Sequence, residues 1–302
     1  MIKIISIEGG GVRGLIVVRF LQRLEEKLLQ FYGKNIYQTF DFYSGTSVGA
    51  IVVGSIVYTK LDMNTIFNQL FSHQNIYNIL KRKSLFSLFS PLSDGLQKTN
   101  LLKTYLGNIL FEHPEKNVMF TSFNIKTNQS KIWKNWNDED KKHFAYKLID
   151  GSSSIPAYYP PVQIDNNTLL VDGGLSKNDP TLDTYAAVLE HYGTKQDIRI
   201  LTIGTGIPLD TINCEKTKDW GLFQWMYNGR LLDIITDDSE SSNNNTMKAF
   251  TNILNHKYMK VNYNIENIEF DDTSIETYNK LIYIADQWFE TCGDQVIEFI
   301  TS

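Results

Sequence analysis

Residues 2–14, Ile-Lys-Ile-Ile-Ser-Ile-Glu-Gly-Gly-Gly-Val-Arg-Gly, decide the fold. Ile2 to Ile7 is a short run rich in β-branched isoleucine that stops at a glycine cluster, the pattern of a buried strand. Leu15, Val18, Leu21, Leu24 and Leu28 then recur at helical spacing as far as Phe31. Strand, glycine turn and helix in that order open an α/β unit, with helices covering a largely parallel sheet. Gly9, Gly10, Gly11 and Gly14 let the backbone turn tightly and expose its N–H groups, and the helix start adds positive potential. Such a loop suits a phosphate or a developing oxyanion. The spacing also fits G-x-G-x-x-G, the dinucleotide-binding fingerprint, which asks for an acidic residue about 20 positions on at the end of a second strand. Glu25 and Glu26 fall inside the predicted helix, and Asp41 stands at the start of a strand rather than its end. A dinucleotide-binding module is the alternative of another class.

The next strand signal, Phe40 to Tyr43, runs into Gly45-Thr46-Ser47-Val48-Gly49, and Ala50 to Tyr58 follows as a small, apolar, helix-like stretch. Strand, sharp turn and buried helix around G-x-S-x-G describe a nucleophile elbow, with Ser47 at the turn and Gly45, Thr46, Val48 and Gly49 keeping its flanks small. Further on, a strand over Leu169–Val171 ends at Asp172-Gly173-Gly174. A carboxylate followed by two glycines can face a crevice without crowding, although an aspartate capping its own turn reads the same way.

Between and beyond these motifs, residues 61–115 read as helices and loops over the core. Val118–Asn124 and Ser130–Trp136 read as a strand pair, Ala145–Ser152 and Pro180–His191 as helices, and Ile198–Ile203 as a strand ending in Gly204-Thr205-Gly206. Residues 239–245 read as a polar loop, and the tail from Ile275 has a helical apolar period. Neither internal repeats nor a linker interrupt the chain. One domain over residues 1–302 is expected, with a motif-bearing core over 2–206 and a helical and loop part over 207–302.

A net charge of -5 argues against non-specific nucleic-acid binding, which needs a basic face. Cys214 and Cys292 are too few for a disulfide framework or a zinc set, and no cluster with metal-ligand spacing occurs, so neither metal nor cofactor is expected. The N-terminus has no signal-peptide pattern, and no apolar run reaches the roughly 18 residues of a membrane-spanning helix. The expected location is cytoplasmic or peripheral to a membrane. Two stretches bear on lipid contact. Trp220 to Asn228, WGLFQWMYN, reads as core packing or as an interfacial surface. Lys81-Arg82-Lys83 reads as a solvated basic turn or as a contact for anionic lipid.

Glycine loop, elbow serine and Asp-Gly-Gly in this order resemble the patatin-like phospholipases. The resemblance rests on GGGVRG at 9–14, on GTSVG preceded by FDFYS, on SSSIPAYYPP at 152–161, on DGGLSKNDP from Asp172, and on LTIGTG at 201–206. It implies a three-layer α/β/α sandwich around a mostly parallel sheet. It implies that Ser47 attacks an acyl ester, that Asp172 serves as its base in a Ser-Asp dyad, and that Gly10, Gly11 and neighbouring amides such as Val12 form the oxyanion hole. Arg13 matches a usually basic position and is expected to anchor the loop. The substrate implied is a phospholipid or another acyl lipid, with phospholipase A or lysophospholipase activity. The enzymatic alternative is an esterase or thioesterase with a Ser-Asp-His triad. Only His191 and His256 follow Asp172, both in polar settings that read as surface, and His73, His113 and His143 read alike.

Overall fold

The computed structural model describes residues 1–83, 90–113, 115–209 and 243–302. Its strands are β1 (Ile2–Ile7), β2 (Phe42–Thr46), β3 (Asn117–Asn124), β4 (Gln129–Lys134), β5 (Val162–Asp165), β6 (Thr168–Asp172), β7 (Ile198–Ile203), β8 (Ile207–Pro208), β9 (Lys257–Val261) and β10 (Asn264–Ile265). The main sheet runs β5-β6-β3-β2-β1-β7-β9, with β4 also paired to β3, and β8 pairs β10 separately. From β3 through β9 the neighbours in that order are parallel, whereas β4, β5 and β6 join antiparallel.

Alternation along the strands divides the apolar side chains between two cores, because successive side chains of a strand point to opposite faces. Ile5, Ile7, Tyr43, Val118, Phe120, Leu201 and Ile203 enter one core. Ile2, Ile4, Phe42, Met119, Ile198 and Ile200 enter the other. The first core is covered by the helices Gly14–Tyr32, Val48–Thr59 and Ile275–Thr301, the second by the helix Thr181–Tyr192 and by Met247 of the helix at 243–254. The result is the expected three-layer α/β/α sandwich around a mostly parallel sheet.

The first helix ends at Gly33, whose φ of 63° is the left-handed cap conformation and whose N–H reaches the Leu29 carbonyl. Its outer face meets the C-terminal helix through the Phe20–Phe289 edge contact and through Arg19 and Arg23, which both grip Asp286 at 2.9 Å. Among the described residues, no helix is long and apolar enough to cross a membrane.

Several elements depart from the sequence pattern. The second strand begins at Phe42, not Phe40, because the short turn Ile36–Thr39 is closed by an Asn35 capping box and Asp41 still pairs with Lys3 outside the sheet. Residues 243–245, expected as loop, open a helix. Neither β5 nor β9 was legible: β5 is four residues with an even mixture of half-buried and exposed positions, and β9 has one exposed, three half-buried and one buried residue with no clean alternation. The aromatic stretch 220–228, Cys214 and residues 239–242 lie outside the described residues. The Lys81-Arg82-Lys83 run is exposed, as a solvated basic turn would be, with Arg82 on Asp271 and Lys83 on Asp94 in surface ion pairs.

Candidate active site

Register brings the three motifs to one place. In β1, β2 and β7 the last paired residues align, Ile7 with Gly45 and Ile7 with Ile203, so the glycine loop, the elbow and Gly204-Thr205-Gly206 leave the sheet along the same carboxyl edge. Open α/β sheets bind ligands at that edge. Asp172 arrives from the opposite direction. β3 pairs with β2 as far as Thr46–Thr121 and with β6 from Ser122–Asp172 onward, while β4 occupies its other side. β2 and β6 therefore meet head-on along one edge of β3, and the residue after Thr46 faces the last residue of β6.

Ser47 sits there with φ 56° and ψ −122°, a conformation that side chains other than glycine rarely adopt. The turn is tight enough that a Cβ on Gly49 would collide with the Ile7 carbonyl, and one on Gly45 with the backbone of Gly49. Thr46 secures the strand end by donating to the Lys177 carbonyl at 2.7 Å and lying 2.6 Å from the Thr121 hydroxyl. Val48 packs into the core and begins the helix. Ser47 Oγ donates to Asp172 Oδ2 at 2.6 Å, and both residues are buried. Gly174 N–H donates to the other carboxylate oxygen at 2.7 Å, and Gly173 N–H to the Ser152 carbonyl at 3.1 Å.

Burial pushes the Asp172 carboxyl up to about 6, against the hydrogen bonds from Ser47 and Gly174 and the positive charge of Lys98. Removal from water disfavours the charged form, which is the ordinary reason for a raised carboxylate. At neutral pH Asp172 is ionised yet more basic than a solvated aspartate.

The glycine loop wraps over Ser47. Gly11 has φ +58°, and Gly10 lies directly against the Thr205 side chain, whose hydroxyl donates to the Gly9 carbonyl at 2.8 Å. Gly9 N–H is taken by the Asn178 carbonyl, Val12 N–H by the Phe270 carbonyl at 2.8 Å, and Arg13 N–H by the Gly10 carbonyl. Val12 is thus removed from the expected set of oxyanion donors: its amide already has a partner. Among the described residues the amides of Gly10 and Gly11 have none. Arg13 Nε also donates to the Gly10 carbonyl, at 3.4 Å, and Gly14 lies against Val48, locking loop to elbow. Beneath the loop, Lys260 bridges Glu8 at 2.6 Å and Asp179 at 3.1 Å, tying the end of β1 to the segment after Asp172.

Two cavities open at Ser47. The inner one is walled by Ile51, Leu70, Ile76, Leu80, Leu101 and Leu102 among others. The outer one is lined by the glycine loop, Arg13, Asp172, Asn178 and the apolar Ile155, Pro156, Leu175 and Phe270. Tyr158 and Tyr159 donate to the carbonyls of Leu80 and Ile79, which holds the 79–80 wall of the inner cavity in place.

Residues unassigned from sequence complete the site. Ser152 Oγ accepts the Ser47 N–H at 3.0 Å, and the Ser154 carbonyl accepts Asp172 N–H at 2.8 Å. Their signal was the serine run at 152–154, which has no chemistry of its own until it is placed beside the elbow.

None of the five histidines bonds to Ser47 or Asp172. His191 is exposed as expected. His256 is not a surface residue: it is buried, 2.6 Å from the Tyr185 hydroxyl and 3.2 Å from the Thr194 carbonyl, because helix Thr181–Tyr192 folds over it. His73, His113 and His143 are half-buried and face Thr273, the 115–116 backbone and Trp133. Nor does an acidic residue end β2, as a dinucleotide site requires; Glu25 is occupied by the N–H groups of Ile36 and Met63.

A family model described as patatin-like phospholipase matches residues 5–185. Patatin-08 of Solanum tuberosum is 28% identical over 264 residues, covering 75% of this chain and 67% of that protein. Patatin-like protein 4 of Arabidopsis thaliana is 27% identical over 281 residues, covering 79% and 70%. Among solved structures, VipD from Legionella pneumophila aligns over 95% of this chain and 67% of its own, with TM-score 0.45 and 13% identity.

Proposed function

The chain belongs to the patatin-like phospholipase family, and from that premise we propose that it is a serine hydrolase of fatty-acyl esters, of the phospholipase A or lysophospholipase type, working through a Ser47–Asp172 dyad. The observation that carries this reading is the direct 2.6 Å hydrogen bond from Ser47 Oγ to a buried carboxylate, with no histidine between them.

Asp172 takes the Ser47 proton as Oγ attacks the ester carbonyl. The oxyanion of the tetrahedral intermediate faces the Gly10 and Gly11 amides, donors already aimed at it by the loop. Collapse returns the proton from Asp172 to the departing alcohol and leaves the acyl group on Ser47. Asp172 then deprotonates a water that attacks the acyl-enzyme, and the fatty acid leaves with Ser47 reprotonated. The inner cavity accepts the acyl chain and the outer one the polar remainder. The pairing of β9 with β7 in the same sheet supports residues 1–302 acting as one domain. A phospholipid substrate entails contact with a membrane or micelle surface.

The test is labelling by a fluorophosphonate probe together with fatty-acid release from phosphatidylcholine vesicles, for wild type, Ser47→Ala and Asp172→Asn. Labelling vanishes in Ser47→Ala, and release falls about 10⁴-fold or more in both variants. Release by the wild type falls as pH drops through about 6, because protonated Asp172 accepts no proton. Labelling that survives Ser47→Ala would sink the assignment, and so would an activity lost on replacing His256 alone in a protein that still folds.

A further inference from the structure

Lys98 is a lysine without water. It lies on the helix Leu96–Leu106, is 2% exposed, and borders the inner cavity beside Ser47. Its ammonium lies 3.1 Å from Asp150 Oδ1. It donates to the carbonyls of Asp150 at 3.0 Å and Ser153 at 2.8 Å, and to the hydroxyls of Ser153 at 3.2 Å and Ser154 at 3.0 Å. The Tyr159 ring covers it at 4.3 Å. Asp150 is buried as well and accepts from Thr99 Oγ1 at 2.6 Å.

A buried ion pair seldom repays its desolvation in stability, so its presence calls for another role. Every atom the ammonium holds belongs to residues 150–154. That same arm carries Ser152 Oγ against the Ser47 N–H, the Ser152 carbonyl against Gly173 N–H, and the Ser154 carbonyl against Asp172 N–H. Both halves of the dyad thus lean on one five-residue arm, and the arm is gripped from below by one side chain. We propose that Lys98 is the positioning residue of this site, clamping the 150–154 arm so that Ser47 and Asp172 stay in register. It also supplies the positive charge that favours ionised Asp172. The groups facing Asp172 are Ser47, Lys98, Tyr159 and, across the outer cavity, Arg13; those facing Lys98 are Asp150, Tyr159 and Asp172. The inference rests on the Ser47–Asp172 reading.

Three variants test it: Lys98→Met/Asp150→Asn, which removes both charges and strands neither; Lys98→Arg, which keeps the charge; and Ser152→Ala, which leaves the ion pair intact. Folding is followed by circular dichroism, and fatty-acid release from phosphatidylcholine vesicles is followed against pH. In the double variant kcat falls about 10- to 100-fold with little change in KM, the cost of a misaligned reacting pair. Its acid limb moves upward, since the Lys98 charge is one of the groups that hold Asp172 ionised. Lys98→Arg keeps the wild-type acid limb. Ser152→Ala lowers kcat about tenfold with the acid limb unmoved. A folded double variant with wild-type kcat, or with lowered kcat and an unmoved limb, overturns the assignment, as does full activity in Ser152→Ala. Should the double variant not fold, Lys98→Gln, which keeps a donor but no charge, decides by the same readings: a folded Lys98→Gln with lowered kcat and a raised acid limb supports the assignment, and one with wild-type kcat or an unmoved limb overturns it. Ser47→Ala run alongside separates the failures: activity surviving there removes the dyad reading and this one with it, whereas an inactive Ser47→Ala beside an unaffected double variant removes only Lys98.

Discussion

The two cavities that meet at Ser47 differ in how much polar surface they carry. The inner one is a product of core packing: its aliphatic walls come from the elbow helix and from helices at residues 66–80 and 96–106, and the same side chains continue into the core. The outer one sets glycine amides, the Asp172–Gly174 turn and the polar tips of Arg13 and Asn178 among the apolar Ile155, Pro156, Leu175 and Phe270. The first can discriminate by length and bulk, the second by charge and by the shape of a transition state. Ser47, Gly11 and Ile155 border both.

The largest effect short of removing the dyad is expected where both cavities share a wall. Gly11 has a left-handed φ of +58°, and a Cβ there would strike the Phe270 carbonyl that holds Val12 N–H. Gly11→Ala displaces an oxyanion donor and lowers kcat by about 10²–10³. The loss is equal for short and long acyl esters, measured with p-nitrophenyl butyrate and palmitate, because the transition state rather than the chain is affected. A loss confined to palmitate would move Gly11 from the chemistry to the acyl wall.

Asp172 belongs by position to the outer cavity and by environment to the inner one. Its carboxyl is raised above the unfolded value, so ionisation costs the folded state, fully at pH above about 6 and not at all below about 4. Asp172→Asn is therefore expected to stabilise the inactive protein at pH 8 by about 1–3 kcal/mol, with the gain shrinking as pH falls through that window. Thermal unfolding at pH 8 and pH 4.5 checks it; destabilisation at pH 8 would mean that the carboxylate is held by more than it loses.

A bulky residue in the inner cavity sharpens the comparison from the other side. Leu101→Trp shortens the apolar space without touching the loop or the dyad. The palmitate-to-butyrate ratio of kcat/KM falls about tenfold or more, since each methylene in an apolar pocket carries a measurable share of binding. An unchanged ratio would mean that the acyl chain lies elsewhere.

The outer cavity was far more legible in the sequence than the inner one, and the reason is physical. Gly11 needs a left-handed φ, and Gly45 has no room beside the Gly49 backbone, so a short motif announces them, even though Gly9, Gly10 and Gly49 owe their lack of a side chain to the distant Asn178, Thr205 and Ile7. Ser47 and Asp172 stand at strand ends, where short motifs mark the turn. The inner walls are leucines and isoleucines like any others, and only the packing of four helices makes them a pocket. Lys98 is harder still: its partners lie more than fifty residues away, and nothing in Gln97-Lys98-Thr99 separates a buried clamp from a surface lysine. His256 shows the same limit, polar by its neighbours and buried by the helix that crosses it.

Arg13 carries the smallest expected effect and the finest distinction. Its only hydrogen bond through Nε among the described residues is long, 3.4 Å to the Gly10 carbonyl, while its guanidinium borders the outer cavity. Anchoring the loop and attracting an anionic headgroup are both open to it, and they differ in what a neutral substrate feels. Arg13→Gln keeps a donor near Gly10 but removes the charge. For a partly exposed ion pair the loss is under about 1 kcal/mol, or up to about fivefold in kcat/KM, and it is weakened by salt. If attraction dominates, that loss appears with phosphatidylglycerol micelles at low salt, fades at high salt and is missing with p-nitrophenyl butyrate. If anchoring dominates, both substrates lose alike and salt changes nothing. The first pattern is expected, because one long hydrogen bond is a weak tether for a loop already held through Gly9, Val12 and Thr205.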